Sequence, residues 1–450
     1  MKKLMLICAP VSSRSGYGAH ARDLTHAFIK HDKYDIKIQD VPWGDCPRNA
    51  LDKNNEEDKK LINHFLLEPK LDKQPDIYVD IRIPNEFQTY GKFNIGITAG
   101  IETNAVSNVW LESCNKMDLI IVPSEHSKAG FVQSVYDKLQ KAQDGQQQKV
   151  GEVKLEKQIE VLFEGADENI YKPIDDSSLN LVDDIKEDFC FLHVGQWTKG
   201  GFGEDRKDIS KLIKVFYESF ANKKEKPALI LKSHGATFSI MDREECLAKI
   251  NNIKSQFPSD WDLPNIYLLH GDLSDVEMNK LYNHPKVKSL VSFTHGEGFG
   301  RPLLEATMTG LPVIASAWSG HCDFLSQEDS LLLGGNLTQV PESQIWKDIV
   351  MKESQWFNVN ETQAYKALNY SFKNRDEIKE RGKKLMETNR NKFTLNKMIE
   401  KLDEIVTKAT SNMSTQVGIQ LPKLKKVGSK SDTPKINLPK LNKVTSGATV

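Results

Sequence analysis

The stretch HGEGFGRPLLEATMTGLPVIAS, residues 295–316, decides how this chain is read. It follows SLVSF (289–293), an apolar run of strand type, and ends in PVIAS (312–316), another. Between them stand Gly296, Gly298 and Gly300, which permit backbone angles other residues resist, so the first strand stops here. Pro302 suits the first position of a helix, where its missing N–H costs nothing. Gly310 suits the helix C-terminus, and Pro312 forbids continuation. The segment therefore reads as strand, glycine loop, short helix, strand. The free N–H groups and positive dipole end of that helix point at the loop, an arrangement that receives phosphate. Yet two carboxylates, Glu297 and Glu305, flank the loop with seven residues between them. A carboxylate repels phosphate but accepts hydrogen bonds from hydroxyls. A diphosphate with hydroxyl-rich rings on both sides uses all three features, and a nucleotide sugar is such a molecule. One glutamate would hold the ribose diol and the other the transferred sugar. The plainer alternative makes Glu305 a helix-start residue and Glu297 a solvated loop residue.

The chain around this motif has 450 residues, a length that implies two or three domains. Hydrophobic residues make up 39%, enough for substantial cores, and the formal net charge is −1. So balanced a charge gives no whole-protein field for nucleic acid or an anionic membrane. No apolar run reaches the roughly 18 residues of a membrane-spanning helix. MKKLMLICAPVSS (1–13) reads as a first buried strand rather than a signal segment, its apolar run being short and followed by a glycine loop. Six scattered cysteines without a CxxC pair point to reduced thiols and a cytoplasmic location. Strand and helix patterns alternate over the first half, and again from FCFLHVG (189–195) onward, the signature of two parallel α/β units. Residues 52–62 read as a surface segment, residues 137–157 as a polar surface excursion, and 174–188 as an acidic linker. Residues 375–409 are amphipathic and helical. From about 411 the chain holds seven lysines against one acid, Asp432, and repeats LPKLKKV (421–427) as LPKLNKV (438–444). Such a composition reads as disordered.

The glutamate motif resembles the donor-binding signature of retaining glycosyltransferases of family 4, the glycosyl transferases group 1. SGYGAHARDL (15–24), IETNAVSNVW (101–110), VPSEHSKAGFVQSV (122–135), EGADENIYKP (164–173) and HGDLSDVEMNKLY (270–282) stand in the family's order, so the resemblance covers about residues 1–405. It implies the GT-B fold, two Rossmann-like parallel-sheet domains facing a cleft. The acceptor domain would span 1–173, the linker 174–188 and the nucleotide-sugar domain 189–374. Helices at 375–410 would pack back on the first domain, leaving 411–450 as a lysine-rich tail able to contact an acidic partner or surface. The implied activity is retaining transfer from a nucleotide sugar, the co-substrate, with no cofactor or metal. The acceptor, whether glycan, lipid, protein or modified nucleic acid, is left open.

By the same resemblance Glu297 contacts the donor sugar and Glu305 the ribose, with Gly298, Phe299 and Gly300 lining the donor. In the family, Arg and Lys neutralise the leaving diphosphate. Arg206 and Lys207 match that basic position and join Glu297 as candidate catalytic residues. The family often has an arginine where this chain has Gln196, so Arg206, or else Lys232 at the end of the next strand, supplies that charge. Gly16 and Gly18 follow the first strand in the loop that approaches the donor phosphate. Arg14 and Ser15 are placed toward phosphate or acceptor, and Glu102 and Thr103 toward the acceptor or, equally, in a structural helix-start role. Asp260-Trp261-Asp262 has the spacing of a metal motif but sits in a turn after Pro258. His20, His270 and His295 are read as structural. Two other classes stay open. GYGAHA (16–21), with Asp40 about 22 residues on, has the residue pattern of a dinucleotide fingerprint and would suit an NAD(P)-dependent oxidoreductase. A non-catalytic nucleotide-sugar binder would need only the C-terminal site.

Overall fold

The structure is a computed structural model that describes residues 2–411 and 413, apart from 69, 142–146 and 236. The expected tail therefore lies, beyond Ser411 and Met413, outside the described residues.

The first half alternates as its sequence suggests. Its strands are β1 (Lys3–Ala9), β2 (Tyr34–Asp40), β3 (Ile77–Ile81), β4 (Phe93–Ile97), β5 (Leu119–Val122), β6 (Tyr136–Lys141), β7 (Gln147–Val153) and β8 (Gln158–Val161). Its helices are α1 (Gly16–His31), α2 (Glu56–Ile62), α3 (Asn108–Cys114) and α4 (Glu125–Gln133). Six strands form one parallel sheet in the order β2-β1-β3-β4-β5-β8. β3 and β5 are buried along their whole length, as strands of a covered parallel sheet are, and β3 carries one buried charge, Asp80, paired with Arg82.

Three local readings change. Gly16 and Gly18 belong to the first turn of α1, not to the loop before it, because Ser15 caps the helix by accepting from Gly18 N at 3.0 Å. Gly18 is needed by the tight entry, where a Cβ would stand 2.0 Å from Ser13 O. The polar excursion is an antiparallel hairpin, β6 with β7, and the segment read at 52–62 contains α2. Neither shows an apolar stripe, since β6 and β7 are exposed over most of their length and α2 buries only Leu61, so their patterns give no period to read.

The second half holds α5 (Asn180–Asp183), β9 (Cys190–Gln196), α6 (Ile209–Phe220), β10 (Ala228–His234), α7 (Ile240–Lys254), β11 (Ile266–Leu269), α8 (Asp275–Asn283) and β12 (Val287–Ser292). After these come α9 (Arg301–Thr307), β13 (Val313–Ser316), β14 (Leu331–Leu333), β15 (Gly335–Gln339) and β16 (Gln355–Val359). The parallel sheet runs β11-β10-β9-β12-β13-β14, while β15 and β16 form a separate antiparallel pair. In this doubly wound order the strand sequence reverses between β9 and β12, and ligands characteristically bind in the crevice at such a switch point. The 174–188 segment is not bare: Leu179, Val182 and Ile185 are buried in the core beneath this sheet.

Three helices end the described residues, α10 (Glu361–Lys373), α11 (Arg375–Lys392) and α12 (Leu395–Thr410). α11 lies against α9, with Asn389 Nδ2 donating to Thr307 Oγ1 at 2.9 Å. α12 returns to the first half and rests on α1, where Lys33 pairs with Asp403 at 2.5 Å. At the crossing, Leu395 N donates to Ala166 O at 2.7 Å and Ala166 N to Phe393 O at 3.0 Å. Gly165 permits this approach, since a Cβ there would stand 2.6 Å from Thr394 O and from the Leu395 Cα. Gly165→Ala should therefore destabilise the protein by about 1–3 kcal/mol, the usual cost of overpacking. Urea unfolding would show this as a lowered midpoint at unchanged slope; an unchanged midpoint would mean that 393–395 gives way freely.

Candidate donor site

The switch point is where the predicted residues meet. The loop after β9 carries Arg206 and Lys207, and the loop after β12 carries the glycine motif. The backbone joins them first: His295 N donates to Arg206 O at 2.8 Å. The side chains follow. Arg206 Nη1 donates to Gly296 O at 3.2 Å and to Glu297 Oε2 at 3.1 Å, and Lys207 Nζ pairs with Glu297 Oε1. Glu297 is 6% exposed. Burial alone would push its carboxyl up, but Lys207 and Arg206 overcome that and hold it down at about 2. Its backbone is clamped as well. Glu297 N donates to Ser319 Oγ at 2.9 Å, and Gly320 N donates to Glu297 O at 3.0 Å.

The first half closes over this cluster. A Cβ on Gly296 would stand 2.0 Å from Glu102 O, and one on Gly298 would stand 2.0 Å from Ala99 O. Two motif glycines are thus required by backbone contact with the chain after β4, in addition to any role toward a ligand. Ser124 Oγ, at the start of α4, donates to Gly298 O at 2.6 Å. The Glu102 carboxylate reaches within 3.7 Å of Arg206 Nε, so a second acid from the opposite half faces the same guanidinium.

Glu305 sits in α9 one turn in from the glycine loop. Gly300 occupies the left-handed region (φ 98°) as the helix begins, and Pro302 takes the second helical position rather than the first. Arg301 Nε donates to Glu305 Oε1 at 3.3 Å, and Tyr282 Oη donates to Glu305 Oε2 at 3.5 Å. Burial pushes Glu305 up to about 7, with Arg301 opposing. The same guanidinium donates across the seam to Asp23 Oδ2 on α1 at 2.7 Å and lies 3.9 Å from Glu164 Oε2. Glu164 is buried and likewise raised to about 7, by desolvation first. His20 packs beside it, Nδ1 to Oε2 at 4.0 Å, and burial lowers its imidazole to about 4.

Other candidates are dispersed. Phe299 turns into the core against Phe324, so its side chain does not line the site. Thr103 is buried and donates to Ala105 O. Arg14 forms an ion pair with Asp272 of the second half. Lys232 Nζ donates to Gly271 O at 2.6 Å and lies outside the glutamate cluster, so Arg206 is the candidate that supplies its positive charge. Gln196 turns away, donating to Gly235 O. His295 is held between Phe357 O and Gly203 O, and His270 pairs with Asp242. Asp40, the acid of the dinucleotide reading, is occupied by Arg48 and by Ser12 N.

Three contributors escaped the sequence reading. Arg301 lies inside the quoted motif, but its partners Asp23 and Glu164 are far away in sequence. Ser319 and Gly320 follow the strand PVIAS in a turn that gave no signal of contact with Glu297. Among the described residues, no three His, Cys, Asp or Glu side chains gather as a metal site. No helix there is long and apolar enough to cross a membrane.

Residues 260–352 match the family model described as glycosyl transferases group 1. HepE of Anabaena, solved with UDP and glucose, aligns over 90% of this chain and 100% of its own, at 12% identity and a TM-score of 0.58. Sucrose-phosphate synthase from Thermosynechococcus elongatus aligns over 91% and 100%, at 13% identity and a TM-score of 0.60. WaaG, a glycosyltransferase involved in lipopolysaccharide biosynthesis, aligns over 90% and 100%, at 15% identity and a TM-score of 0.53. No curated protein matches the sequence. The shared architecture is the GT-B fold. Taken with the matched segment, it makes this chain a glycosyltransferase.

The seam's electrostatics give a signed expectation. Glu164 binds a proton more tightly folded, at about 7, than a carboxyl at the ordinary 4.5. It therefore contributes stability that is full below about pH 4.5 and is lost as pH rises through about 7. Buried His20 has the opposite slope over part of that range, so the wild-type profile mixes the two. The difference between wild type and Glu164→Gln isolates the carboxyl. Wild-type melting temperature minus that of the variant should fall steadily from pH 5 to pH 7.5, and a flat difference would remove Glu164 from the seam's titration.

Proposed function

We propose that this glycosyltransferase is a retaining enzyme that transfers a sugar from a nucleotide-sugar donor without a metal ion. The observation that carries the reading is the buried Glu297–Lys207–Arg206 cluster at the switch point, with Glu305 on the adjoining helix. The cluster places two fixed cations where a departing diphosphate needs charge compensation. Preorganised charge in a desolvated site is the kind of stabilisation that lowers a barrier most. Glu297, kept ionised by those cations, is suited to accept from sugar hydroxyls. Glu305, which titrates near neutrality, is suited to a ribose hydroxyl as acceptor when ionised. The acceptor would come from the first half, where Glu102 already faces Arg206. Because both glutamates are occupied by cations of the protein itself, donor entry exchanges those contacts for contacts to sugar and phosphate. It also requires residues 99–102 to separate from the glycine loop, an opening and closing of the kind that gates many transferases.

In the transfer, the bond from the anomeric carbon to the phosphate oxygen breaks and the bond from the acceptor oxygen forms on the same face. The acceptor proton leaves with the diphosphate. Same-face attack rests on the resemblance to family 4 and on no distance in the site.

The test is calorimetric binding of UDP-, GDP- and ADP-sugars, with NAD and NADP as controls. One nucleotide-sugar class should bind, and Glu305→Ala should weaken it by about 1–3 kcal/mol, the scale of a lost hydrogen bond to a charged group. Arg206→Gln should lower turnover on the order of 10²–10³-fold, as loss of one preorganised donor does. Turnover should survive EDTA, and NMR of the product should show the donor's anomeric configuration. Binding of NAD alone would overturn the reading. An inverted product, or activity abolished by EDTA and restored by a divalent cation, would overturn the retaining and metal-independent parts separately.

A further inference from the structure

The second sheet has another concave site, at the opposite end of its strands. A cavity of about 670 Å³ opens where β9, β12 and β13 begin and where α11 starts. Five cations line it: Lys186, Lys286, Lys288, Arg375 and Lys379. Two acids, Asp188 and Asp376, are the only carboxylates in its wall. The excess is three positive charges.

These cations are not all engaged. Lys286 is used, donating to Asp183 O and Ile185 O behind α5. Arg375 pairs with Asp188 at 3.2 Å and stacks over Phe189 and Phe372, 5.0 Å from each ring, which fixes its plane. Lys186, Lys288 and Lys379 form no hydrogen bond or ion pair among the described residues.

Lys288 is the informative one. It is the extra residue of a bulge in the pairing of β12 with β9, where Val287 faces Cys190 and Ser289 faces Phe191. A bulge re-aims a side chain and disrupts the ladder locally, so it marks a position where the strand serves something besides pairing. Here the lysine is half-buried, and burial first, then the charges of Lys379 and Arg375, disfavour its ammonium, with Asp188 opposing. Asp188 and Asp376 offset only part of this crowding of like charges, and an anion between the cations would relieve the rest. α11, of 18 residues, begins beside the cavity at Arg375 with no side-chain hydrogen bond from its N-cap residue and with Asp376 and Glu377 in its first turn.

We propose that this cavity is a second ligand site, specific for a phosphate monoester or diphosphate group and separate from the donor site. Its volume lies in the range of small-molecule sites and exceeds what a bare phosphate fills, so the phosphate carries a small organic body. That body has Leu311 and Pro312 to rest on. Tyr282 also contributes to the wall, and its hydroxyl is the one that touches Glu305. One side chain thus separates the two sites.

The experiment is isothermal titration with inorganic phosphate, pyrophosphate and glucose 6-phosphate, on wild type, Lys288→Gln/Lys379→Gln, Lys379→Glu and Arg206→Gln. Wild type should bind pyrophosphate or glucose 6-phosphate saturably, with affinity that falls as salt rises. Both cavity variants should weaken one binding event at least tenfold, while Arg206→Gln leaves that event unchanged. Lys379 is exposed, so Lys379→Glu guards against a folding defect at Lys288. A parallel arm uses phosphatidylcholine vesicles containing phosphatidic acid. Binding to vesicles but not to soluble phosphates, sensitive to the same variants, would assign the phosphate to a lipid headgroup. Binding lost only in Arg206→Gln, or absent from every arm, would overturn the proposal.

Discussion

The seam depends on one buried carboxylate, Glu297. Alone in that position it would be expelled or protonated, since removing a carboxylate from water without a partner costs several kcal/mol. It stays ionised because Lys207 and Arg206 are delivered from a different loop at contact distance. The requirement runs both ways, for Lys207 is as buried as the acid it meets. The loops after β9 and β12 can therefore only be placed together. Once they are, Ser319 and Gly320 fix the glutamate's backbone, and the glycines beside it offer a surface flat enough for residues 99–102 to lie on.

Seven residues separate the two glutamates, yet their environments push them apart. Glu297 has two cations and stays an acceptor at any ordinary pH. Glu305 shares its one cation, Arg301, with Asp23 and Glu164, and burial dominates. Pairs of like groups tuned in opposite directions are a usual sign of divided chemical labour. The division here comes from counting cations within reach, not from the residues themselves. Arg301 has its own divided role, because it serves the glycine helix and the first half's α1 at once.

Most of the architecture was legible because it rests on periodicity and punctuation. Apolar runs marked the strands of the first sheet and β9 to β13 of the second, though not β14, and the glycines and prolines of 295–316 marked strand, loop and short helix. Glu297, Arg206 and Lys207 were picked out by residue type and resemblance, and they meet. The failures share one cause. β6 and β7 are mostly exposed and α2 buries only Leu61, so neither has a repeating core face to imprint a pattern. Phe299 was assigned by its neighbours in the motif, whereas its own side chain obeys the core. Arg301, Ser319 and Gly320 act through contacts with Asp23, Glu164 and Glu297 that only the folded chain creates. Sequence proximity carried the site as far as one loop's length, and tertiary contact supplied the rest.

The return of α12 to α1 bears on how the protein is made. A chain leaves the ribosome from its N-terminus, and domains generally fold as they emerge. Here the first sheet can assemble early, but the surface of α1 that Met398, Leu402 and Val406 help to cover waits for the last described helix. About 230 residues, the second sheet and its connections, must be synthesised between the end of the first sheet at Val161 and the start of α12 at Leu395, at about 5–20 residues per second. The nascent first half must therefore remain soluble with that face bare for tens of seconds. A chain cut short before residue 395 would be left with it permanently, making α12 a checkpoint on synthesis through that point as well as a brace.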